Sequence, residues 1–389
     1  MKTIDQSTIR RQNIRKILAL LSQGNAMTRQ ELSEAAGLSL MTVTNLVDQL
    51  KEHEALTFAP LKREGQGSRR LTGRKADVIA LNGAGHAWLV VDISGRQFRF
   101  SLLAFDLSPL GEGAGWRNDP QKNYVENLES FLVNVRQQTQ TLLHGRKLLG
   151  VSVVTPGPYE VDDDRVSNQR LPELNSVKLK SLLAQYLGPY DYYVDEDVKF
   201  AVRAYASLAS QAQCELLYYL YIGEGVGGAA VHQGNMLRGL NATAGDPGQL
   251  WDAQGRRYES LLSLSAFARS LSFPCGEEGD QETLLRQLNA HAAACPDAYK
   301  TALTQAAQPT AQMLYNVLWM LDPSHVIIDC LYAHPFEEVY LRQLLDSLSH
   351  LTSGSRNLPV FSFAPQEMSS VLRGAIQVLQ REWVERIIP

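Results

Sequence analysis

A short run of side chains has the chemistry that base recognition in DNA requires. The run comprises Ser39, Met41, Thr42, Thr44 and Asn45. Small polar or flexible side chains at the start of a helix can reach base edges in the major groove. An asparagine amide can form two hydrogen bonds to adenine, so Asn45 could recognise that base. The run predicts a DNA-reading helix, provided that neighbouring elements present it.

Predicted helices on either side of a turn would position this run. The first helix has apolar residues at the spacing that aligns them on one helical face, namely Ile14, Ile17, Leu18 and Leu21. Gly24 and Asn25 are expected to end it. For the second helix, Thr28 stands three residues before Glu31, which is typical of a capping box, and Gly37 ends the helix.

The third helix would carry the run itself. Ser39 can cap its start. Its apolar face consists of Val43, Leu46, Val47 and Leu50. The opposite face is then free to contact DNA. Because Asp48 and Glu52 lie further along that side and would repel phosphates, we expect only the first two turns to enter the groove.

A β-hairpin, the wing of a winged helix-turn-helix, is predicted after the third helix. Residues 56–60 are extended, residues 63–67 form the tip, and residues 68–81 return. The basic residues of this hairpin are Arg69, Arg70, Arg74 and Lys75. Together with Arg29 of the second helix, they are predicted DNA contacts because cations attract the phosphate backbone.

The charge of the chain is unevenly distributed. Residues 1–75 hold 13 Lys and Arg against 7 Asp and Glu, a net charge of +6. The rest of the chain has a net charge of −10, so the whole chain has a net charge of −4. A basic segment joined to an acidic body is typical of a nucleic-acid-binding head. The alternative is that the short helices and the hairpin only mediate protein contacts.

Beyond Asn82 the pattern becomes that of an α/β domain, with strands alternating with helical stretches. A first trio of strands is predicted at residues 88–92, at 97–105 and near Leu110. A second trio is predicted at residues 216–222, 227–232 and 236–238. Helical sequence follows each trio. This layout predicts a duplicated βββαβα unit.

Ordered motifs in the body make a family resemblance specific. They are Gly150–Pro158, the glycine cluster Gly223–Gly228 and Gly239–Gln249. With the winged head and its Thr72-Gly-Arg-Lys75 ending, they resemble the ROK family of bacterial repressors and sugar kinases over nearly the whole chain. The resemblance implies an α/β protein. Its winged helix-turn-helix would span residues 1–81, and a two-lobed actin/hexokinase-like (ribonuclease H-like) sensor and oligomerisation domain would span residues 82–389.

The resemblance also implies a sugar site with altered residues. In ROK kinases an Asn-Asp pair at a strand end holds the sugar, and its aspartate takes the hydroxyl proton; here the pair is Glu196-Asp197. The family's Glu-x-Gly-His is here Asp246-Pro-Gly-Gln249, whose carboxylate and amide can still bond hydroxyls. These residues and Asn241 are the predicted ligand contacts.

Simpler structural roles are open for several of these residues. Asp197 could cap the following helix, predicted over residues 200–209, and Asp246 could cap a turn. The glycine cluster could let the backbone approach a phosphate, or it could be an ordinary hairpin turn.

Metal and nucleotide sites are predicted to be absent. Structural zinc needs about four cysteine or histidine ligands, and residues 249 and 251–260, where many ROK members carry them, contain none. The resemblance places Glu224 where a threonine is usual and Asp329-Cys330 where a double glycine is usual. A carboxylate repels a triphosphate, and side chains obstruct close approach. We therefore predict no metal, no cofactor, no catalytic residue and no enzyme activity.

The sequence as a whole predicts a transcription regulator, a repressor that binds a double-stranded DNA operator as a homodimer or homotetramer and responds to a sugar or sugar derivative. The alternatives are a ligand-blind regulator whose body only oligomerises or binds a protein, and an active sugar kinase that also binds DNA. With no secretory signal and no membrane-spanning stretch in the sequence, a cytoplasmic location is expected.

Overall fold

The computed structural model of the chain describes residues 6–22, 24, 26–60, 77–95, 97–119, 121–168, 171–206, 215–273, 281–365 and 369–388. The chain divides into two compact units. Residues 1–155, 169–194 and 375–389 form the first unit, and residues 156–168 and 195–374 form the second. The predicted domain division after Leu81 falls inside the first unit and stays a prediction.

The N-terminal part of the first unit, called the head below (residues 6–81), is a helical cluster with a small sheet. Its elements are α1 (Gln6–Leu21), β1 (Met27–Thr28), α2 (Arg29–Ala36), α3 (Leu40–Glu52), β2 (Leu56–Pro60) and β3 (Asp77–Leu81). The predicted apolar faces of α1 and α3 are buried in its core. Apolar burial of this kind is what holds a short helical cluster together.

The predicted caps of the head are confirmed. Thr28 and Glu31 form the capping box of α2, and Gly37 ends that helix in the left-handed conformation. The Ser39 side chain accepts a hydrogen bond from the backbone N–H of Thr42 at the start of α3. The Thr28 and Ser39 caps satisfy amides, and the Gly37 cap satisfies carbonyls, that a helix leaves unpaired, so the turn between α2 and α3 is sharply defined.

The sheet of the head has the order β1–β3–β2. Strands β2 and β3 pair antiparallel, from Leu56 opposite Leu81 to Pro60 opposite Asp77. This pairing is the base of the predicted hairpin. The predicted DNA contacts Arg69, Arg70, Arg74 and Lys75 lie outside the described residues.

The rest of the first unit contains a larger sheet. The elements from β4 to β10 are, in chain order, β4 (His86–Asp92), β5 (Gln97–Ala104), β6 (Pro109–Arg117), α4 (Tyr124–Leu142), β7 (Lys147–Thr155), β8 (Tyr159–Glu160), β9 (Arg165–Val166), α5 (Leu179–Leu187) and β10 (Tyr192–Glu196). Strands β8 and β9 belong to the second unit. The sheet has the order β10–β7–β4–β5–β6. Strand β4 is antiparallel to β5 and parallel to β7.

The second unit repeats this arrangement. Its further elements are α6 (Asp197–Ala206), β11 (Leu216–Ile222), β12 (Val226–His232), β13 (Asn235–Met236), α7 (Tyr258–Leu262), α8 (Leu264–Ser270), α9 (Gln281–Ala294), α10 (Pro296–Leu321), β14 (His325–Cys330), α11 (Glu337–Thr352) and β15 (Val360–Phe363), and α12 (Ser370–Ile387) follows. The sheet has the order β13–β12–β11–β14–β15. Strand β11 is antiparallel to β12 and parallel to β14, as β4 is to β5 and β7.

Numbered along the chain within each sheet, the strands of both sheets therefore lie in the order fifth, fourth, first, second, third. The predicted duplication is confirmed. Several boundaries differ from the prediction: β4 begins at His86 rather than Trp88, β5 ends at Ala104 rather than Phe105, β12 begins at Val226 rather than Gly227, β13 spans Asn235–Met236 rather than residues 236–238, and α6 begins at Asp197 rather than Phe200. Asp197 already accepts a hydrogen bond from the backbone N–H of Val198, which explains the earlier helix start.

No helix in the described part of the chain combines the length and the apolar character that crossing a membrane requires.

Loss of the α2 cap gives a first test of the head. Thr28→Ala is expected to destabilise α2 by about 1 kcal/mol, because amides at its start lose their acceptor. In the full-length protein, amide hydrogen exchange in α2 should become roughly fivefold faster. Thr28→Ser keeps the hydroxyl and should exchange near the wild-type rate. Equal rates in the two variants would show that the cap does not stabilise the helix.

Candidate functional site

The start of α3 presents the predicted base-reading run. The Ser39 hydroxyl lies 2.8 Å from the Thr42 hydroxyl, and the Thr44 hydroxyl donates to the Leu40 carbonyl at 2.8 Å. These polar groups are therefore held by the helix itself. Met41 is 76% exposed, and Asn45 is also exposed. The structure thus places the predicted run on one accessible stretch of the helix.

Leu40, beside this run, was not among the predicted contacts. It is 52% exposed although it is a large apolar residue. The sequence signal was its position, directly after the Ser39 cap and outside the buried face of α3. An exposed aliphatic side chain at this point could contact a thymine methyl group.

Arg29 is tied to the head rather than extended from it. Its guanidinium pairs with the Asp48 carboxylate at 3.1 Å and lies 5.8 Å from the centre of the Phe58 ring. The Lys51 ammonium lies 5.3 Å from the centre of the same ring. The Asp48 charge, which the sequence suggested would repel phosphates, is therefore partly neutralised by Arg29.

A second candidate site lies in the second unit, at the end of β10 and the start of α6. The Glu196 carboxylate accepts hydrogen bonds from the backbone N–H of Tyr159 at 2.9 Å and from the Lys199 ammonium. A Cβ at Gly157 would clash with this carboxylate, so any larger residue there would displace the Glu196 side chain. Burial raises the pKa of Glu196, and the charge of Lys199 partly offsets this.

Lys199 is the residue that joins the parts of this site. Its side chain is 2% exposed, and its ammonium donates to Glu196 and, at 2.6 Å, to the carbonyl of Ala242. It thereby links α6 to the segment 239–249, which carries Asn241, Asp246 and Gln249. Sequence reasoning missed it. The available signal was a lysine in an otherwise apolar stretch, one turn after Glu196.

Asp246 has an unusual ionisation. One of its carboxylate oxygens accepts a hydrogen bond from the backbone N–H of Gly248 at 3.0 Å, so it does cap a turn. The pKa of Asp246 is raised to about 6, chiefly by burial and in part by the nearby charges of Glu196 and Glu259, while that hydrogen bond lowers it. The structure therefore brings Asp246 and Glu196 close enough to interact.

The remaining predicted ligand contacts differ in their surroundings. The exposed Gln249 amide donates to the Glu259 carboxylate at 2.7 Å. Asn241 is exposed, next to the carbonyl of Ala242 that Lys199 binds. The Asp197 carboxylate accepts from the backbone N–H of Val198 at 2.7 Å, which is the role of a helix cap.

A further ion pair that the sequence did not suggest stands beside Glu196. The Asp195 carboxylate is buried and accepts two hydrogen bonds from Arg238, at 3.1 and 2.5 Å. A bidentate arginine of this kind is strongly directional. It fixes the strand end before Glu196 to the segment after β13.

The positions that face a nucleotide in ROK kinases carry side chains with structural partners. The Tyr219 hydroxyl donates to the Asp329 carboxylate at 2.5 Å, and the His334 imidazole lies 3.5 Å from it. Cys330 is fully buried, and burial raises the pKa of its thiol to about 12. Glu224 lies in the turn between β11 and β12, so the glycine cluster does occupy a hairpin turn.

The prediction that no metal is bound remains a prediction. Within the described residues, no group of three or more histidine, cysteine, aspartate or glutamate side chains could hold a metal ion. Cys214 and Cys275 lie outside those residues.

Comparison with known proteins identifies the family. The sequence pattern of the ROK family matches residues 89–381. The chain belongs to the ROK family. A pattern described as winged helix-turn-helix DNA-binding matches residues 10–54, within the head. A DNA-binding head joined to a ROK domain is the organisation of a DNA-binding transcription regulator.

Solved structures agree with this ROK fold. A ROK family transcriptional regulator, a homologue of the E. coli Mlc protein, is 16% identical with a TM-score of 0.67, covering 98% of this chain and 99% of that one. The ROK hexokinase of Thermus thermophilus is 19% identical with a TM-score of 0.58, covering 77% and 99%. A ROK protein of Streptococcus pneumoniae in complex with sucrose is 17% identical with a TM-score of 0.60, covering 77% and 99%.

The raised pKa of Asp246 predicts a pH-dependent stability. An unfolded aspartate has a pKa of about 3.9, so the native state binds the proton more tightly. The fold therefore loses stability as the pH rises from about 4 to about 6, and the loss is nearly complete above about pH 6. Asp246→Asn imitates the protonated form. At pH 7.5 it should raise the melting temperature by about 2–4 °C, the shift that about 1 kcal/mol produces, and the gain should disappear towards pH 4.

Asp252 provides a control of opposite sign. Although burial opposes it, hydrogen bonds from Arg256 and Gln254 lower the pKa of Asp252. Asp252→Asn should therefore lower the melting temperature at pH 7.5. A gain in Asp246→Asn that persists unchanged at pH 4 would contradict the assignment of the raised pKa to Asp246.

Proposed function

We propose that this ROK protein is a sequence-specific transcription repressor whose body responds to a sugar or sugar derivative and does not phosphorylate it. The observation that carries the proposal is the start of α3, where Met41 and Asn45 are exposed beside the Ser39 cap. In a helix-turn-helix the N-terminal residues of the recognition helix contact base edges.

Two features support operator binding by an oligomer. Residues 1–75, which include most of the head, carry a charge of +6, which favours contact with phosphates. A helix-turn-helix commonly reads one half-site, and dimers bind two half-sites about one helical turn apart. A homodimer or homotetramer would supply the second head.

The hydrogen bonding of the kinase positions supports a receptor rather than an enzyme. A general base must be able to accept the proton of the sugar hydroxyl, and one oxygen of the Asp197 carboxylate already accepts a hydrogen bond from the amide of Val198 as a helix cap. Asp329 and Cys330 replace the small residues that let a nucleotide approach, and Asp329 is held by Tyr219. These positions disfavour ATP binding and phosphoryl transfer.

Asp246 is the main support for a ligand. Its carboxyl is partly buried at the segment that Lys199 holds, and carboxylates are strong acceptors for sugar hydroxyls. The structure of the Streptococcus pneumoniae relative contains sucrose, which makes sugars the first class to test on this chain.

A ligand-blind regulator is the second candidate, favoured by a specific observation. Glu196 is satisfied by Lys199 and Tyr159, and Gln249 donates to Glu259. A site whose polar groups already bond to each other gains less from a ligand. In that case the body of the protein would only oligomerise or bind a protein.

Base recognition by α3 can be tested with Asn45→Ala. On a duplex selected by the wild-type protein from random sequences, affinity should fall by about 1–3 kcal/mol, because an adenine contact is lost. Binding to unrelated DNA should stay unchanged. Gln30→Ala, an exposed change on α2, is the matched control. An equal loss on selected and unrelated DNA would exclude a base-reading role for Asn45.

Ligand binding can be tested by thermal shift against a panel of monosaccharides, disaccharides and their N-acetylated or amino derivatives. A compound that binds the folded state must raise the apparent melting temperature. The shift should be lost in Asp246→Ala and kept in Asp346→Ala, an exposed carboxylate on α11. If no compound shifts the melting temperature, the ligand-blind regulator is the better account.

The same compounds, incubated with ATP, should give no sugar-dependent turnover. Turnover at ordinary enzymatic rates that disappears in Asp197→Ala would contradict the receptor role and establish a kinase.

A further inference from the structure

Helix α12 is shared by the two compact units. It runs without interruption from Ser370 to Ile387. Residues up to Gly374 belong to the second unit, and residues from Ala375 belong to the first. Because an α-helix is stiff along its axis, a displacement at one end reaches the other.

The start of α12 is packed against α6. A Cβ at Gly374 would lie 1.7 Å from the carbonyl oxygen of Phe200, so the two helix backbones touch where only glycine fits. One turn before Gly374, the Ser370 hydroxyl lies 2.6 Å from the buried Tyr205 hydroxyl. The first turn of α12 is thus fixed to α6 at two points.

Helix α6 begins directly after Glu196, which with Asp246 forms the pair called the carboxylate cluster below. Asp197 is its first residue, and Lys199 on its first turn holds Glu196 and the carbonyl of Ala242. Phe200, which touches Gly374, follows Lys199 directly. Any ligand that displaces the Lys199 contacts therefore acts within one residue of the contact between α6 and α12.

The end of α12 is bound to the head. The Glu385 carboxylate pairs with Arg11 at 2.9 Å and with Arg15, both on α1. Arg11 also donates to the carbonyl of Ile388 at 3.0 Å, just beyond the helix. These contacts attach the last turn of α12 to α1, the first helix of the head.

The C-terminal end of α12 also contacts α3, the proposed DNA-reading helix, and His53, the residue that follows α3. The Gln49 amide on α3 donates to the carbonyl of Ile387 at 3.5 Å. The rings of His53 and Trp383 meet edge to face, with centroids 6.3 Å apart. Trp383 is buried, and its ring also packs against Phe105, with ring centroids 5.0 Å apart. The position of α3 is therefore coupled to α12 as well.

We propose that α12 is the element through which the state of the carboxylate cluster changes the DNA affinity of the head. This inference rests on the proposed ligand site for its signal, whereas the mechanical link exists without a ligand. A change at Lys199 moves α6, the backbone contact at Gly374 moves α12, and the Glu385 end repositions α1 and α3. Close-packed contacts transmit such shifts because they have no free volume to absorb them.

A double-mutant cycle on the full-length protein tests the link. Gly374→Ala forces α12 away from α6, and Glu385→Gln removes the ion pairs with α1. Each should change the affinity for the selected duplex at least threefold. If both act through α12, the double variant should show no more than the larger single effect. Glu338→Gln, an exposed charge on α11, should have no effect.

Two outcomes would overturn the proposal. One is a double variant whose change equals the product of the two single changes, and the other is a Gly374→Ala protein with wild-type affinity. A wild-type protein that binds no DNA would defeat the proposed function instead. Amide hydrogen exchange of α1 then becomes the readout, and it should rise in Gly374→Ala if the link exists.

A milder pair of variants covers the case in which Gly374→Ala does not fold. Gln377 lies in α12 between the two contacts. Gln377→Gly loosens the helix there, and Gln377→Ala keeps it stiff. Exchange of α1 amides should be at least twofold faster in the glycine variant than in the alanine variant. Equal exchange in the two would overturn the link.

Discussion

The Lys199 ammonium lies where water cannot reach it, and the second site depends on how that charge is compensated. An unpaired buried charge is very unfavourable, so the group must keep both of its acceptors. One acceptor is Glu196 at the end of β10, and the other is the carbonyl of Ala242. Through these bonds a single side chain fixes the strand end, the start of α6 and the segment that carries Asp246.

Under the proposed function, this constraint is what would allow a kinase-like fold to serve as a receptor. Glu196, which stands where ROK kinases have an asparagine, accepts a hydrogen bond from Lys199, and one oxygen of the Asp197 carboxylate accepts a hydrogen bond from the amide of Val198. Asp246 remains as a carboxyl with a pKa of about 6, raised by burial and by its acidic neighbours. A carboxyl of this kind can bind a ligand or change its protonation with pH, and neither requires phosphoryl transfer.

Local signals in the sequence predicted the head well. The buried faces of α1 and α3 and the Thr28 and Ser39 caps depend on neighbours three to four residues away, which a sequence displays directly. The alternation of strands and helices predicted a duplicated βββαβα unit, and the two sheets share one strand order. The ROK assignment, made from three motifs, was confirmed by a match over residues 89–381.

Long-range partners could not be predicted in the same way. Lys199 acquires its role from Ala242, and Glu385 from α1, more than 300 residues earlier in the chain. The pairing of Arg29 with Asp48 likewise depends on how α2 packs against α3. Spacing along a sequence carries no information about such pairs.

The most direct test of the account is to recover the genomic DNA fragments that the purified full-length protein retains at moderate salt. A repressor with paired recognition helices should enrich short sites that contain two related half-sites about one helical turn, or a multiple of it, apart. Retention of no fragment even at low ionic strength, where phosphate contacts are strongest, would contradict the account.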